Sequence, residues 1–277
     1  MRIILPQMLR QRSACGRIVR MKINNLELFK AKVARGETCL GAVTTSYDDA
    51  IAELFGDAGL DFIWIDGEHS PFNQVDILHQ ITAVRGTSCA PFVRVPWAVN
   101  WVIKPILDMA PAGVIIPMVN DAATARAAVS ACRYPMDGGE RGVGTRRATR
   151  YGEMPIEEYW EHSRTDPMII FQIEHKDAVA NLDEILAVPG WDSVCIGPYD
   201  LSTSFNKPGA FSDPEVQAAL DTICTKTRAA GKMLGGFIAP NFPIRHHLDW
   251  RALGGDMGFL MAGLKAAIAA INHSNSN

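Results

Sequence analysis

Phe62-Ile63-Trp64-Ile65-Asp66-Gly67-Glu68-His69 sets apolar residues in an unbroken run and turns abruptly polar at Asp66. A strand with one wet face would alternate apolar and polar side chains, whereas a run without alternation is buried on both faces. Runs of this kind occur at Leu40–Thr44, Phe62–Ile65, Pro91–Val95, Gly113–Met118, Met168–Ile173, Ser193–Ile196, Met233–Phe237 and Gly258–Met261. Helix-like stretches follow them at Tyr47–Ala58, Phe72–Val84, Trp101–Met109, Ala122–Arg133, Lys176–Leu186, Pro214–Ala230, Phe242–Trp250 and Leu264–Ile271. Helices between doubly buried strands make those strands parallel neighbours. Eight strand–helix units in about 230 residues predict an α/β fold of the closed (β/α)8, or TIM-barrel, type, whose usual size is about 250 residues. The runner-up is a doubly wound open sheet. Its Gly-rich dinucleotide fingerprint is missing from the first strand-to-helix turn, Thr44-Thr45-Ser46-Tyr47.

Composition narrows the class of partner. The 277 residues are 48% hydrophobic, enough for a sizeable core, and 27 basic residues nearly balance 30 acidic ones for a net charge of −3. That balance gives no electrostatic reason to expect nucleic acid or an anionic membrane, and favours a small-molecule substrate. No apolar run reaches the roughly 18 residues of a membrane span. The six cysteines are scattered without a C-x-x-C pair and read as reduced core thiols, which suits an intracellular, cytoplasmic protein. Residues 1–23 differ from the single barrel domain expected over 24–277. Arg2, Arg10, Arg12, Arg17, Arg20 and Lys22 precede the first acidic residue, Glu27. This is the charge pattern of a mitochondrial transit peptide, or else of an extended, disordered start with Met21 as initiator.

In such a barrel the chemistry sits at the C-terminal ends of the strands. Four runs place polar residues there: Asp66 to His69 after the second, Arg94 on the third, Gln172 and Glu174 on the fifth, and Gly197-Pro198-Tyr199-Asp200 after the sixth. Glu174 and Asp200, on neighbouring strands, can hold a divalent cation by oxygen and leave positions for water and substrate. With no His or Cys beside them, Mg²⁺ or Mn²⁺ suits the pair better than structural zinc, Co²⁺ is also compatible, and no organic cofactor is required. Taken alone, each carboxylate is more often a helix cap or an ion-pair partner. His69, three residues after Asp66, suits a general base oriented by a carboxylate. Arg94 can clamp an oxyanion, or pair with Asp66 or Glu68 across the barrel top. Gly139-Glu140-Arg141-Gly142-Val143-Gly144 lies in a long connection and reads as a flexible loop, covering the site or meeting another subunit. Lys176 and Lys207 fall in loops or helix starts, which argues against Schiff-base chemistry.

Several segments together resemble a known family. They are Ile65-Asp66-Gly67-Glu68-His69-Ser70-Pro71, Val93-Arg94-Val95-Pro96, Ile116-Pro117-Met118-Val119, Arg133-Tyr134-Pro135, Glu140-Arg141-Gly142-Val143-Gly144, Phe171-Gln172-Ile173-Glu174 and Ile196-Gly197-Pro198-Tyr199-Asp200-Leu201-Ser202. From about Phe29 to Gly255 the chain resembles the HpcH/HpaI aldolases, the 4-hydroxy-2-oxoheptanedioate and 2-dehydro-3-deoxyglucarate aldolase type. The resemblance implies a metal-dependent class II aldolase that cleaves a 4-hydroxy-2-oxo acid to pyruvate and an aldehyde. It implies Glu174 and Asp200 as metal ligands, His69 with Asp66 as the base acting through a bound water, and Arg94 at the keto oxygen. Backbone amides around Tyr199 and Asp200, with Gln172 nearby, would receive the pyruvate. It further implies a homohexamer with the last helix exchanged between subunits.

The acceptor side departs from the pattern. Tyr199 stands where Ala or Ser is usual, Val43 and Thr44 where an aromatic is common, and the usual Gly-x-Asp of the last strand is absent from Gly258–Gly263. Alternatives on the same barrel are oxaloacetate decarboxylation, a related acyl-CoA ester lyase reaction, or a catalytically silent barrel that binds a 2-oxo acid. A semialdehyde acceptor would indicate aromatic compound catabolism, a hydroxyaldehyde the breakdown of sugar acids.

Overall fold

A computed structural model describes residues 23–238 and 242–274, the side chains of 273 and 274 excepted. The basic segment 1–22 lies outside the described residues. Eight parallel strands close on themselves in sequence order: β1 (Cys39–Thr44), β2 (Phe62–Asp66), β3 (Ala90–Arg94), β4 (Gly113–Ile116), β5 (Met168–Ile173), β6 (Ser193–Ile196), β7 (Met233–Phe237) and β8 (Trp250–Gly255). β1 pairs with both β2 and β8, so the open-sheet alternative is ruled out. The two strand faces have separate burial partners, as the lack of alternation required. Ile63, Ile65, Val93, Val114 and Phe171 pack outward under the helices, while Phe62, Trp64, Phe92, Ile170 and Trp250 fill the barrel interior.

The N-terminal half of the barrel is filled with aromatic rings. Phe62 stacks on Phe92 at 5.2 Å, and Trp250 meets Phe62 edge-on at 5.6 Å. The indole N–H of Trp250 donates to Ser193 Oγ at 2.9 Å. A Cβ at Gly235 would lie 2.2 Å from the Trp250 ring, so β7 needs glycine where β8 brings its largest side chain. A helix that the sequence reading did not include, Leu26–Ala34, closes this end by setting Phe29 against Phe62 and Phe92. With one mouth plugged, the other is left for a ligand.

Two expectations near the C-terminus are corrected. The eighth strand is Trp250–Gly255, whereas Gly258–Met261 belongs to the terminal helix Asp256–Ser274. Arg251 and the glycine pair 254–255 dilute the apolar signal of the true strand, while the apolar residues after Asp256 are those of a helix start: Asp256 Oδ1 accepts from the Met257 N–H. The helix expected over Phe242–Trp250 is absent from the described residues. Pro243 interrupts it, and Trp250 opens β8 instead. The shift of register also restores a motif, since Gly254-Gly255-Asp256 supplies the Gly-x-Asp that Gly258–Gly263 lacks. Among the described residues no helix is long and apolar enough to cross a membrane.

Candidate active site

The strand ends bring Asp66, Arg94, Gln172, Glu174 and Asp200 to one rim, and His69 joins them from the loop after β2. Most of them line a cleft of about 460 Å³, within the usual range for small-molecule sites. Register places them. Asp66 pairs with Arg94 at the ends of β2 and β3. Gln172 lies opposite Cys195 on β6, and Ile173 opposite Ile196, so Glu174 emerges beside Gly197.

Arg94 is buried and forked onto Asp66. Its Nε donates to Oδ1 at 2.9 Å, its Nη2 donates to Oδ2 at 2.7 Å, and its Nη1 lies 2.8 Å from Glu68 Oε2. Burial opposes the guanidinium charge, but the Asp66 hydrogen bonds and the two carboxylates hold its pKa above the ordinary value. The ring face of Trp64 lies 5.1 Å beneath it. Asp66 is therefore engaged by Arg94 and by the loop backbone, accepting from the N–H groups of Glu68 and His69. The carboxylate closest to the His69 ring is that of Glu68, 3.9 Å from Nε2. The structure thus orients the His69 backbone through Asp66 and puts Glu68 beside its imidazole. Glu68 was visible in the sequence only as an ion-pair partner for Arg94.

Glu174 is the chemically unusual group. It is 2% exposed, and its hydrogen bonds come from uncharged donors: the Met118 N–H to Oε1 at 2.9 Å, and the Gln172 amide to Oε2. Met118 reaches it from a left-handed backbone conformation, φ 54°, just beyond β4. Burial, helped by Asp200 and Glu68 and opposed by the Met118 amide and Arg94, raises the Glu174 pKa to about 7. Gly197 makes the space. A Cβ there would stand 2.4 Å from Glu174 Oε2 and 2.9 Å from Gln172 Nε2. Asp200 follows in the first turn of the short helix Pro198–Ser204 and is exposed to the cleft mouth.

The chemistry of this donor set fits a divalent cation. Among the described residues a buried carboxylate without a charged hydrogen-bond partner sits near two further carboxylates, and Gln172 Oε1 is buried with no hydrogen-bond partner. Such donors are all oxygens, the ligands that hard cations take. Among the described residues no group of three or more His, Cys, Asp and Glu side chains converges as a ready-made ligand set.

The flexible-loop expectation for 139–144 is corrected for 139–141. The Glu140 and Arg141 N–H groups donate to Ser130 and Arg133 carbonyls, and buried Arg141 stacks 4.7 Å over Tyr134 while donating to Tyr159. Such contacts pin the segment. Lys207 is tied to Asp213 and Glu215 on the surface, and neither it nor Lys176 lines the cleft. Asp256, missed because the eighth strand was misplaced, does line it. Its carboxylate accepts from the Thr45 N–H and hydroxyl at 2.7 Å each and from the Ser46 and Met257 N–H groups at 2.8 Å, tying the β1 loop to the terminal helix.

The chain is also similar to known proteins. The chain is 37% identical over 226 residues to the hydroxypyruvate/pyruvate aldolase of Roseobacter denitrificans, covering 81% of this chain and 87% of that protein. It is 41% identical over 213 residues to the 2-keto-3-deoxy-L-rhamnonate aldolase of Escherichia coli, covering 76% and 78%. Among solved structures, an HpcH/HpaI aldolase/citrate lyase family protein from Burkholderia cenocepacia aligns with a TM-score of 0.82 at 26% identity, covering 89% of this chain and 99% of that one. The family model for HpcH/HpaI aldolase/citrate lyase matches residues 43–265. With that match spanning most of the barrel and both aldolases aligning over three quarters of the sequence, the chain belongs to the HpcH/HpaI aldolase/citrate lyase family.

Proposed function

We propose that this protein is a class II aldolase that reversibly cleaves a 4-hydroxy-2-oxo acid to pyruvate and an aldehyde. The observation that carries the metal-dependent reading is Glu174, a buried carboxylate on the same rim as Asp200 and Arg94 that, among the described residues, is hydrogen-bonded only by neutral amides. Glu174 and Asp200 would hold the cation, Mg²⁺ or Mn²⁺ with Co²⁺ as a substitute. When bound, it would draw charge off the 2-oxo acid as cleavage builds negative charge on the enolate oxygen.

The protein's own groups do the rest. The start of the helix Pro198–Ser204 offers backbone N–H groups of Tyr199 and Asp200 to the pyruvate carboxylate, and Gln172 borders the same half of the cleft. Arg94 carries more N–H donors than its contacts to Asp66 and Glu68 consume, leaving donors for the 2-oxo oxygen. His69, open to the cleft, accepts the proton of the 4-hydroxyl. As that proton leaves, C4–O becomes the aldehyde carbonyl, the C3–C4 bond breaks, and its electron pair enters the pyruvate enolate. Protonation at C3 then gives pyruvate, and addition runs the same steps in reverse.

Chelation tests the reading. Protein stripped with EDTA should lose cleavage, and Mg²⁺, Mn²⁺ or Co²⁺ should restore it; full activity after stripping would refute the metal-dependent mechanism.

The terminal helix bears on assembly. Met257, Phe259, Leu260, Leu264, Ile268 and Ile271 are each at least two-fifths exposed, an apolar surface large enough to demand a cover. A homohexamer in which this helix packs on another subunit would cover it. Light scattering on the purified protein should give about six times the 30.3 kDa chain mass, and a monomer would exclude the arrangement.

A further inference from the structure

The donor half of the cleft is built of carboxylates and amides, but the half facing β7, β8 and the terminal helix is different. Val43, Tyr199, Phe237 and Met257 line it, with Gly255 and Gly258 between them. Tyr199 is 60% exposed, large and aromatic, yet it is not loose. Its ring meets Phe211 edge-on at 4.9 Å, and Phe211 is backed by Phe242 at 4.9 Å. An aromatic ring held by a second ring at the lip of a cleft is an apolar shelf that costs little further ordering when it is covered.

The charges point the same way. Among the described residues lining the cleft, Arg94 and His69 are the basic ones, and Arg94 already faces Asp66 and Glu68. Asp256 offers nothing to a ligand, because both its oxygens are engaged by the Thr45, Ser46 and Met257 donors. Among the described residues a carboxylate on the acceptor would find no unengaged guanidinium or ammonium on these walls, and a divalent cation would neutralise only two of the three negative charges of Glu174, Asp200 and pyruvate, leaving one beside it. Two like charges about 7 Å apart, at an effective dielectric near 20, repel enough to weaken binding on the order of tenfold or more.

Resting on the aldolase reading above, we propose that the acceptor half selects an uncharged aldehyde with an apolar substituent, and that Tyr199, buttressed by Phe211, sets this preference. A semialdehyde carrying its own carboxylate is disfavoured. A small hydroxyaldehyde reacts but leaves the shelf uncovered.

The test compares benzaldehyde, glycolaldehyde and succinic semialdehyde as acceptors for pyruvate with the metal-loaded protein, while deuterium exchange into the pyruvate methyl group monitors the donor half separately. Benzaldehyde should exceed succinic semialdehyde in kcat/KM by about tenfold or more. Tyr199→Ala should lower the benzaldehyde-to-glycolaldehyde ratio by about tenfold, and Tyr199→Phe should keep it, because the ring is retained. If Tyr199→Ala does not fold, Phe211→Leu reads the same ratio by removing the buttress. A semialdehyde that equals or beats benzaldehyde, or a ratio unmoved by losing the ring, overturns the proposal while the aldolase reading stands. Absence of deuterium exchange in the unmodified protein overturns the aldolase reading and this inference with it.

Discussion

Glu174→Gln is expected to reduce cleavage by on the order of 10³-fold or more and to abolish metal binding, while the protein remains folded. The carboxylate contributes the charge that a divalent cation needs, and loss of the cation removes several kcal/mol of stabilisation from the developing enolate. The neutral amide keeps the shape. It also relieves a cost, because Glu174 has its pKa raised from 4.5 to about 7. A carboxylate with a raised folded-state pKa binds its proton more tightly in the folded protein, so metal-free stability should fall as pH rises from about 4.5 through about 7. The variant should lack that fall and melt no lower than the metal-free parent above pH 7. Gly197→Ala provides a geometric control. It leaves every ligand in the sequence but places a Cβ 2.4 Å from Glu174 Oε2, so metal affinity should drop roughly 10–100-fold. Calorimetric titration with Mn²⁺, combined with pyruvate release, separates these effects. Normal metal affinity in Glu174→Gln would remove Glu174 from the metal site.

His69→Ala is expected to slow cleavage by roughly 10²–10⁴-fold, the usual worth of a positioned general base, with pyruvate affinity nearly unchanged. Its side chain is 67% exposed and makes no part of the buried Arg94–Asp66 pair, so removal should not disturb the fold. A fall in kcat with a steady KM for the 4-hydroxy-2-oxo acid is the signature of a group acting in the transition state. Equal loss of affinity and rate would instead make His69 a binding residue. Asp66→Asn should behave differently, since it leaves the buried Arg94 charge with a weaker partner and so disturbs stability as well as rate.

Seven of the eight strands were legible because each is a short apolar run whose two faces are both buried, a pattern contained in a few adjacent residues. The eighth was not. Arg251 spends its guanidinium on the carbonyl of Ile238, and the glycines after Leu253 allow close backbone approach rather than side-chain packing, so the strand carries little apolar signal of its own. That misplacement hid Asp256 and made a present Gly-x-Asp look absent. At the site, Asp66, His69, Arg94, Glu174 and Asp200 could be read from their positions after apolar runs. Their pairing could not: Asp66 serves Arg94 and the loop backbone, and Glu68 stands beside the imidazole.

Short stretches of sequence were enough to define seven strands in order and the end of the barrel on which the polar groups lie, because burial periodicity and strand direction are properties of short segments. Tertiary structure alone decided that β8 closes against β1, that Met118 turns its amide toward Glu174, and that Asp256 reaches Thr45 from the far end of the chain. Those contacts depend on register around a closed sheet, where each strand's position is set by neighbours dozens of residues away.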